Sequence, residues 1–137
     1  MRLTKTQIKE LTHQINGAAI EVQKAIGPGL LESVYHKCLI QELKIRNINF
    51  KSELVVNIEY KGVTLDTELR CDLFIEDTIV VELKSVDKIL PIHEAQVLAY
   101  MNLLDAPFGI LINFNSTNIM NGGQKTFVNV LYSLLDN

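Results

Sequence analysis

Apolar positions recur at spacings of three and four from Thr4 to Ile26, where Ile8, Leu11, Ile15, Ala18, Val22 and Ala25 form the stripe of an amphipathic helix. Gly27-Pro28-Gly29 stops that pattern, because proline and two glycines disfavour simple continuation. A second helical pattern follows through Leu31, Val34, Cys38 and Leu43 and runs to about Arg46.

The period then changes. Leu54 to Tyr60 is β-branched and meets a turn signal at Lys61-Gly62, after which Val63 to Leu65 resume an extended pattern, so a hairpin is expected. Leu69 to Ile75 alternates, and Glu76-Asp77-Thr78 reads as a tight turn into Ile79 to Lys84, a second hairpin. After Pro91 a helical stretch covers Ile92 to Leu104 and is closed by Asp105-Ala106-Pro107. Gly109 to Phe114 is continuously apolar, as expected of a strand covered on both faces. Asn115 to Gln124 reads as a loop carrying Gly122-Gly123, and Thr126 to Tyr132 as a closing edge strand.

The expected order is helix, helix, about four strands, helix, strand, strand. It predicts an α/β or α+β fold, a sheet flanked by helices. No internal repeat, low-complexity tract or long linker interrupts residues 1–137, so one domain is expected.

Composition narrows the function classes. With 47% hydrophobic residues in 137, a substantial core is available. Sixteen acidic against 13 basic residues give a net charge of −3, which argues against constitutive coating of a polyanion. A local site in which metal ions offset carboxylates stays open. No apolar run approaches the length of a membrane span, and the polar N-terminal segment lacks a signal peptide's apolar centre, so a soluble cytoplasmic protein is expected. Cys38 and Cys71 have no neighbours at metal-ligand spacing and read as reduced core thiols. Gly27-Pro28-Gly29 follows a helix rather than a strand, so no nucleotide-binding glycine loop is present.

The chemistry concentrates in Val80-Val81-Glu82-Leu83-Lys84-Ser85. Side chains two apart on a strand share a face, which places Glu82 and Lys84 together, and on the preceding strand Arg70, Asp72 and Phe74 share one. The turn at residues 76–78 makes the strands neighbours, so Asp72 and Glu82 converge if the register allows it. Two adjacent carboxylates are relieved by a hard divalent cation, Mg²⁺ or Mn²⁺, to which the Leu83 carbonyl can add a third oxygen. Lys84 beside that ion would orient an attacking water or offset charge on a phosphate. The competing reading is a solvated rim with a cross-strand ion pair.

Two further patterns accompany this trio. Gln96 and Tyr100 lie four apart on one face of the third helix, with His93 near the same stripe; they either face the site or pack at a boundary. Gly29, Glu32 and Tyr35 are spaced by three at the start of the second helix. There Glu32 suits the helix dipole, and Tyr35 reads equally as a site neighbour or a core ring.

Taken together, Gly29-x-x-Glu32-x-x-Tyr35, the Asp72 strand, VVELKS, IHEAQVLAY and GILINF resemble the bacterial GxxExxY proteins, a branch of the PD-(D/E)XK nuclease-like superfamily. The resemblance spans about residues 8 to 130. It implies a central mixed sheet with helices on both sides in the order αβββαβ. It further implies Asp72 and Glu82 as metal carboxylates, Lys84 as the catalytic lysine and Glu32 as an acidic residue near the metal that would bind a second ion or a bridging water, with Gln96 and Tyr100 matching a Gln-x-x-x-Tyr pattern. The proline of the superfamily name is replaced here by Cys71. The expected function is a Mg²⁺- or Mn²⁺-dependent nuclease acting on DNA, with RNA as the other substrate. The alternative is a non-catalytic module of the same fold that binds nucleic acid or a protein partner. A homodimer or partner protein would extend the short footprint of one chain.

Overall fold

The computed structural model describes residues 2–137. Helix α1 (Lys5–Ile26) starts at Thr4, whose hydroxyl accepts from the Gln7 N–H at 3.1 Å while the Gln7 side chain accepts from the Thr4 N–H at 2.9 Å. This reciprocal cap satisfies two donors that the first turn would otherwise leave open. Helix α2 (Glu32–Ile45) packs against α1.

Seven strands follow: β1 (Phe50–Val55), β2 (Ile58–Tyr60), β3 (Val63–Leu65), β4 (Arg70–Ile75), β5 (Ile79–Lys84), β6 (Phe108–Asn113) and β7 (Gln124–Val128). Five of them form one sheet in the order β1-β4-β5-β6-β7, in which β5 and β6 are parallel and the other ladders antiparallel. Helix α3 (Pro91–Leu103) makes the crossover from β5 to β6 that a parallel pair requires. The mixed sheet flanked by helices matches the expected fold class, and α2, β1, β4, β5, α3 and β6 give the αβββαβ order.

The sheet has two covered faces. Leu73, Ile75, Val81, Leu83, Ile110 and Ile112 pack toward α1 and α2, while Phe74, Val80 and Leu111 pack toward Val97 and Met101 of α3. All six residues of β6 are buried, in accord with its uninterrupted apolar run. Gly109 is what lets α3 lie so close: a Cβ there would stand 2.6 Å from Met101 Sδ and 2.7 Å from Val97 Cγ1. Cys71 is buried, Cys38 half-buried, and both are free.

Three expectations about elements are corrected. The run Leu54–Tyr60 is not one strand: β1 begins earlier, at Phe50, and the chain breaks at Val56-Asn57. There the Val56 N–H donates to the Leu69 carbonyl and its carbonyl accepts from Thr67 Oγ1. β2 and β3 therefore form a separate two-stranded hairpin inserted between core strands β1 and β4. The run Thr126–Tyr132 is likewise split, because Asn129 Oδ1 accepts from the Leu131 N–H and caps a short helix, α4 (Val130–Ser133). A capping side chain overrides the β-like composition there. Finally, strict alternation along β4 fails below Asp72: Cys71 joins Phe74 in the α3-side cluster instead of facing the side of Leu73.

Gly109→Ala is expected to destabilise the protein by about 1–3 kcal/mol through overpacking against α3. Thermal denaturation measures it, and an unchanged midpoint would mean that α3 does not sit this close to β6.

Candidate active site

The candidate residues meet where β4 and β5 separate. The ladder runs from Ile75↔Ile79 through Phe74↔Val80 to Leu73↔Val81. At the next step side chains replace the backbone pairing. Glu82 Oε2 accepts from the Asp72 N–H at 2.8 Å, and Asp72 Oδ2 accepts from the Leu83 N–H at 2.8 Å. Each carboxylate is thus held by the other strand's backbone through one oxygen, leaving its second oxygen for another partner. A residue's N–H and C=O point to the same side of a strand, so the Leu83 carbonyl also opens toward this gap.

The other neighbour of β4 contributes to the separation. Asp72 lies opposite Glu53, between the pairs Ser52↔Leu73 and Leu54↔Cys71, and Glu53 has φ 49°. A left-handed glutamate inside a strand costs on the order of 1 kcal/mol and interrupts the ladder with β1. No sequence signal pointed to Glu53.

The site is rich in acidic groups and partly buried. Glu82 is only 2% exposed, and its pKa is pushed up to about 8, first by burial and then by the charge of Asp72. Burial also raises Asp72, against the lowering effects of the Leu83 N–H bond, His36 and Lys84. Lys84, half-buried at the end of β5, is near enough that its charge lowers the pKa of Asp72, Glu82 and Glu32 alike. Glu32, in the first turn of α2, is itself raised by burial. Among the described residues no three carboxylate, imidazole or thiol groups come together to hold a metal ion, although Asp72 raises the pKa of Glu32 and Glu32 that of Glu82.

The Gly29-x-x-Glu32-x-x-Tyr35 pattern has a structural basis. Gly29 adopts φ 95°, open to glycine and strained for other residues. The Tyr35 hydroxyl donates to the Gly27 carbonyl at 2.6 Å and accepts from the Leu30 N–H at 3.2 Å, while its ring stacks on Phe114 at 4.6 Å. Ser85 Oγ donates to the Leu30 carbonyl at 2.6 Å, tying this loop to the end of β5. Tyr35 is therefore a core ring that clamps the loop and brings the start of α2, with Glu32, to the site.

On the other side of the sheet, Tyr100 is buried on α3. Its pKa is raised by burial and by the charge of Glu82, and Gln96 lowers it by hydrogen bonding. Tyr100 therefore lies within electrostatic reach of Glu82, with Gln96 beside it. His93 does not join them: its Nδ1 accepts from the Leu90 N–H at 3.0 Å and caps the start of α3.

Two residues passed over in the sequence reading also belong to this region. His36, one turn after Glu32 on α2, lies close to Asp72 and Glu32 electrostatically and pairs with Ser52 Oγ at 3.0 Å. The i, i+4 spacing from Glu32 was its only signal. Asn113 is buried, accepts from the Val86 and Asn115 N–H groups and donates to the Val86 carbonyl, which holds the turn after Lys84.

The donor chemistry suits a hard divalent cation: two adjacent carboxylates each with an oxygen to spare and a neighbouring backbone carbonyl.

A fold with this sheet order and a paired carboxylate-lysine edge defines a class of nucleases. The chain belongs to the PD-(D/E)XK nuclease superfamily, whose family model matches residues 9–126. No curated protein matches the sequence significantly. The crystal structure of SSO0001 is similar, at 27% identity and a TM-score of 0.51, over 71% of this chain and 49% of that one. This chain thus spans about half the length of that protein.

Two measurements check the geometry. Tyr35→Phe keeps the stacked ring but loses both loop bonds, and is expected to lower stability by about 1–2 kcal/mol in denaturant titration. Full retention would show that the clamp is idle. For Glu82, between its ordinary 4.5 and about 8 the folded state keeps a proton that the unfolded chain has released. Stability of the metal-free protein therefore falls as pH rises through that window. Glu82→Gln is expected to flatten this dependence and to melt at higher temperature than the wild type near pH 8.5. Superimposable melting profiles would contradict the burial cost.

Proposed function

We propose that the protein is a nuclease that hydrolyses phosphodiester bonds of DNA or RNA with the help of Mg²⁺ or Mn²⁺, consistent with membership of the GxxExxY branch. The observation that carries this reading is the reciprocal bonding of Asp72 and Glu82 across the parting strands, with Lys84 on the same edge. Asp72, Glu82 and the Leu83 carbonyl would hold the ion, which when bound polarises a phosphoryl oxygen and makes water more acidic.

The chain's own groups account for the remaining work. The Lys84 ammonium positions the attacking water and offsets negative charge gathering on the phosphate. Glu32, whose pKa burial raises, can take the proton that the water gives up. Gln96 and Tyr100 donate hydrogen bonds from the α3 side to phosphate oxygens, and Tyr35 keeps Glu32 in place. The single chain is read as one domain working in the cytoplasm; among the described residues no helix is long and apolar enough to cross a membrane.

The test is cleavage of supercoiled plasmid, single-stranded DNA and RNA in Mg²⁺, Mn²⁺ or EDTA, paired with calorimetric Mn²⁺ titration. Wild-type cleavage is expected only with metal. Lys84→Ala should lower the rate on the order of a hundredfold while keeping Mn²⁺ binding, and Asp72→Asn with Glu82→Gln should lose both. Absence of cleavage on every substrate would move the assignment to a binding module, and cleavage surviving the variants would refute the site.

A further inference from the structure

Helix α3 is apolar on much of its outer side as well as its inner one. Val97, Tyr100 and Met101 face the sheet and are buried, yet the outward side carries Ile92 at 68% exposure, Leu98 at 44% and Leu103 at 37%, with exposed Ala95 and Ala99 between them. Leu90, 46% exposed, extends the patch beyond the helix start. Asn102 is the one polar residue among the exposed positions of α3, and none of these positions is charged. Glu94, on the flank, is engaged by Lys125 at 2.6 Å. Helix α1 shows the ordinary condition: Lys9, Glu10, His13, Gln14, Glu21 and Lys24 occupy its exposed side. An exposed helix side this apolar is usually covered.

We propose that this outer face of α3 is a homodimer interface, in which two copies pack their α3 helices antiparallel about a two-fold axis near Leu98. Three observations select a second copy as occupant. The patch is self-complementary under that operation: with the axis at the height of Val97 and Leu98, Ala95 of one copy comes level with Ala99 of the other and Ile92 with Leu103, while Leu98 and its equivalent flank the axis. Alternating bulky and small residues thereby let knobs of one helix enter the gaps of the other, as an isologous interface requires. The face has no charge, so packing it on itself creates no like-charge contact. The apolar surface amounts to several hundred Å² per copy, so pairing buries on the order of 1,000 Å² in total, at the threshold of a specific interface. Nucleic acid is a poor occupant because the face offers no cation to phosphate, and a lipid surface would call for flanking basic residues. The proposal is independent of the nuclease reading, since its test needs no activity.

Sedimentation equilibrium of the full chain over micromolar to hundred-micromolar concentrations is expected to yield a mass approaching twice 15.5 kDa. Leu98→Glu should weaken association at least tenfold while circular dichroism and melting stay native, because Leu98 is exposed on the outer side of α3. Leu98→Cys in a Cys38→Ser background should form a disulfide-linked dimer on mild oxidation, whereas Val63→Cys on the exposed β2–β3 hairpin should not. This smaller substitution keeps the test valid if the charged one unfolds. A wild-type monomer at the highest concentration would overturn the proposal and assign the face to a different protein. A dimer that survives Leu98→Glu, with no Leu98→Cys cross-link, would overturn it by locating the interface elsewhere.

Discussion

The exchange of bonds between Asp72 and Glu82 is the constraint on which the site depends. Two antiparallel strands that stop pairing leave backbone donors open, and an unpaired buried N–H costs about 1–3 kcal/mol. Here each donor is met by a carboxylate from the opposite strand, so the same two contacts end the ladder and aim both acids into one gap. The arrangement is electrostatically unfavourable by itself. Glu82 is buried beside a second acid, and its raised pKa expresses the cost of keeping both ionised. A site that is strained in its charge but satisfied in its hydrogen bonds is prepared for a cation.

The rest of the fold secures that gap from three directions. On one side the left-handed backbone at Glu53 breaks the β1–β4 pairing at the position opposite Asp72. On another, the loop before α2 is locked by Tyr35 and Ser85, which fixes the start of α2 beside the end of β5. Below, Asn113 pins the turn that follows Lys84. None of these three touches the chemistry, yet each restricts where a chemical group can be. A site assembled at strand ends is only as precise as the contacts that hold those ends, and here they are short hydrogen bonds from rigid elements.

Helix α3 links the site to the outer surface. Its inner face brings Tyr100 within electrostatic reach of Glu82, and its outer face exposes Ile92, Leu98 and Leu103. The close seating at Gly109 makes the helix a rigid connection between the two.

Much of this was legible along the chain, because burial on one side of an element imposes a period on its residues. The stripe of α1, the continuous apolarity of β6 and the pairing of Glu82 with Lys84 follow from that period, and the turn at Glu76 to Thr78 brings Asp72 alongside. The stripe expected on α2 does not hold: Leu31 precedes the helix and is exposed, as is Val34, and α2 buries Tyr35, Leu39 and Leu43 instead, because the Tyr35 ring is drawn into the core against Phe114. Local signals failed where a contact from elsewhere decided the outcome. Val56 leaves β1 because Leu69 and Thr67 claim its backbone, and His93 turns to its own helix start because Leu90 offers an unpaired N–H. Tyr35 could be a site residue or a core ring until the loop closed on its hydroxyl. Sequence by itself determined which residues could share a face, since strand and helix geometry are properties of the local backbone. Tertiary structure alone decided where β4 and β5 part, that Glu53 yields its backbone there, and how far Glu82 is buried, because register, strain and desolvation arise only when separate segments meet.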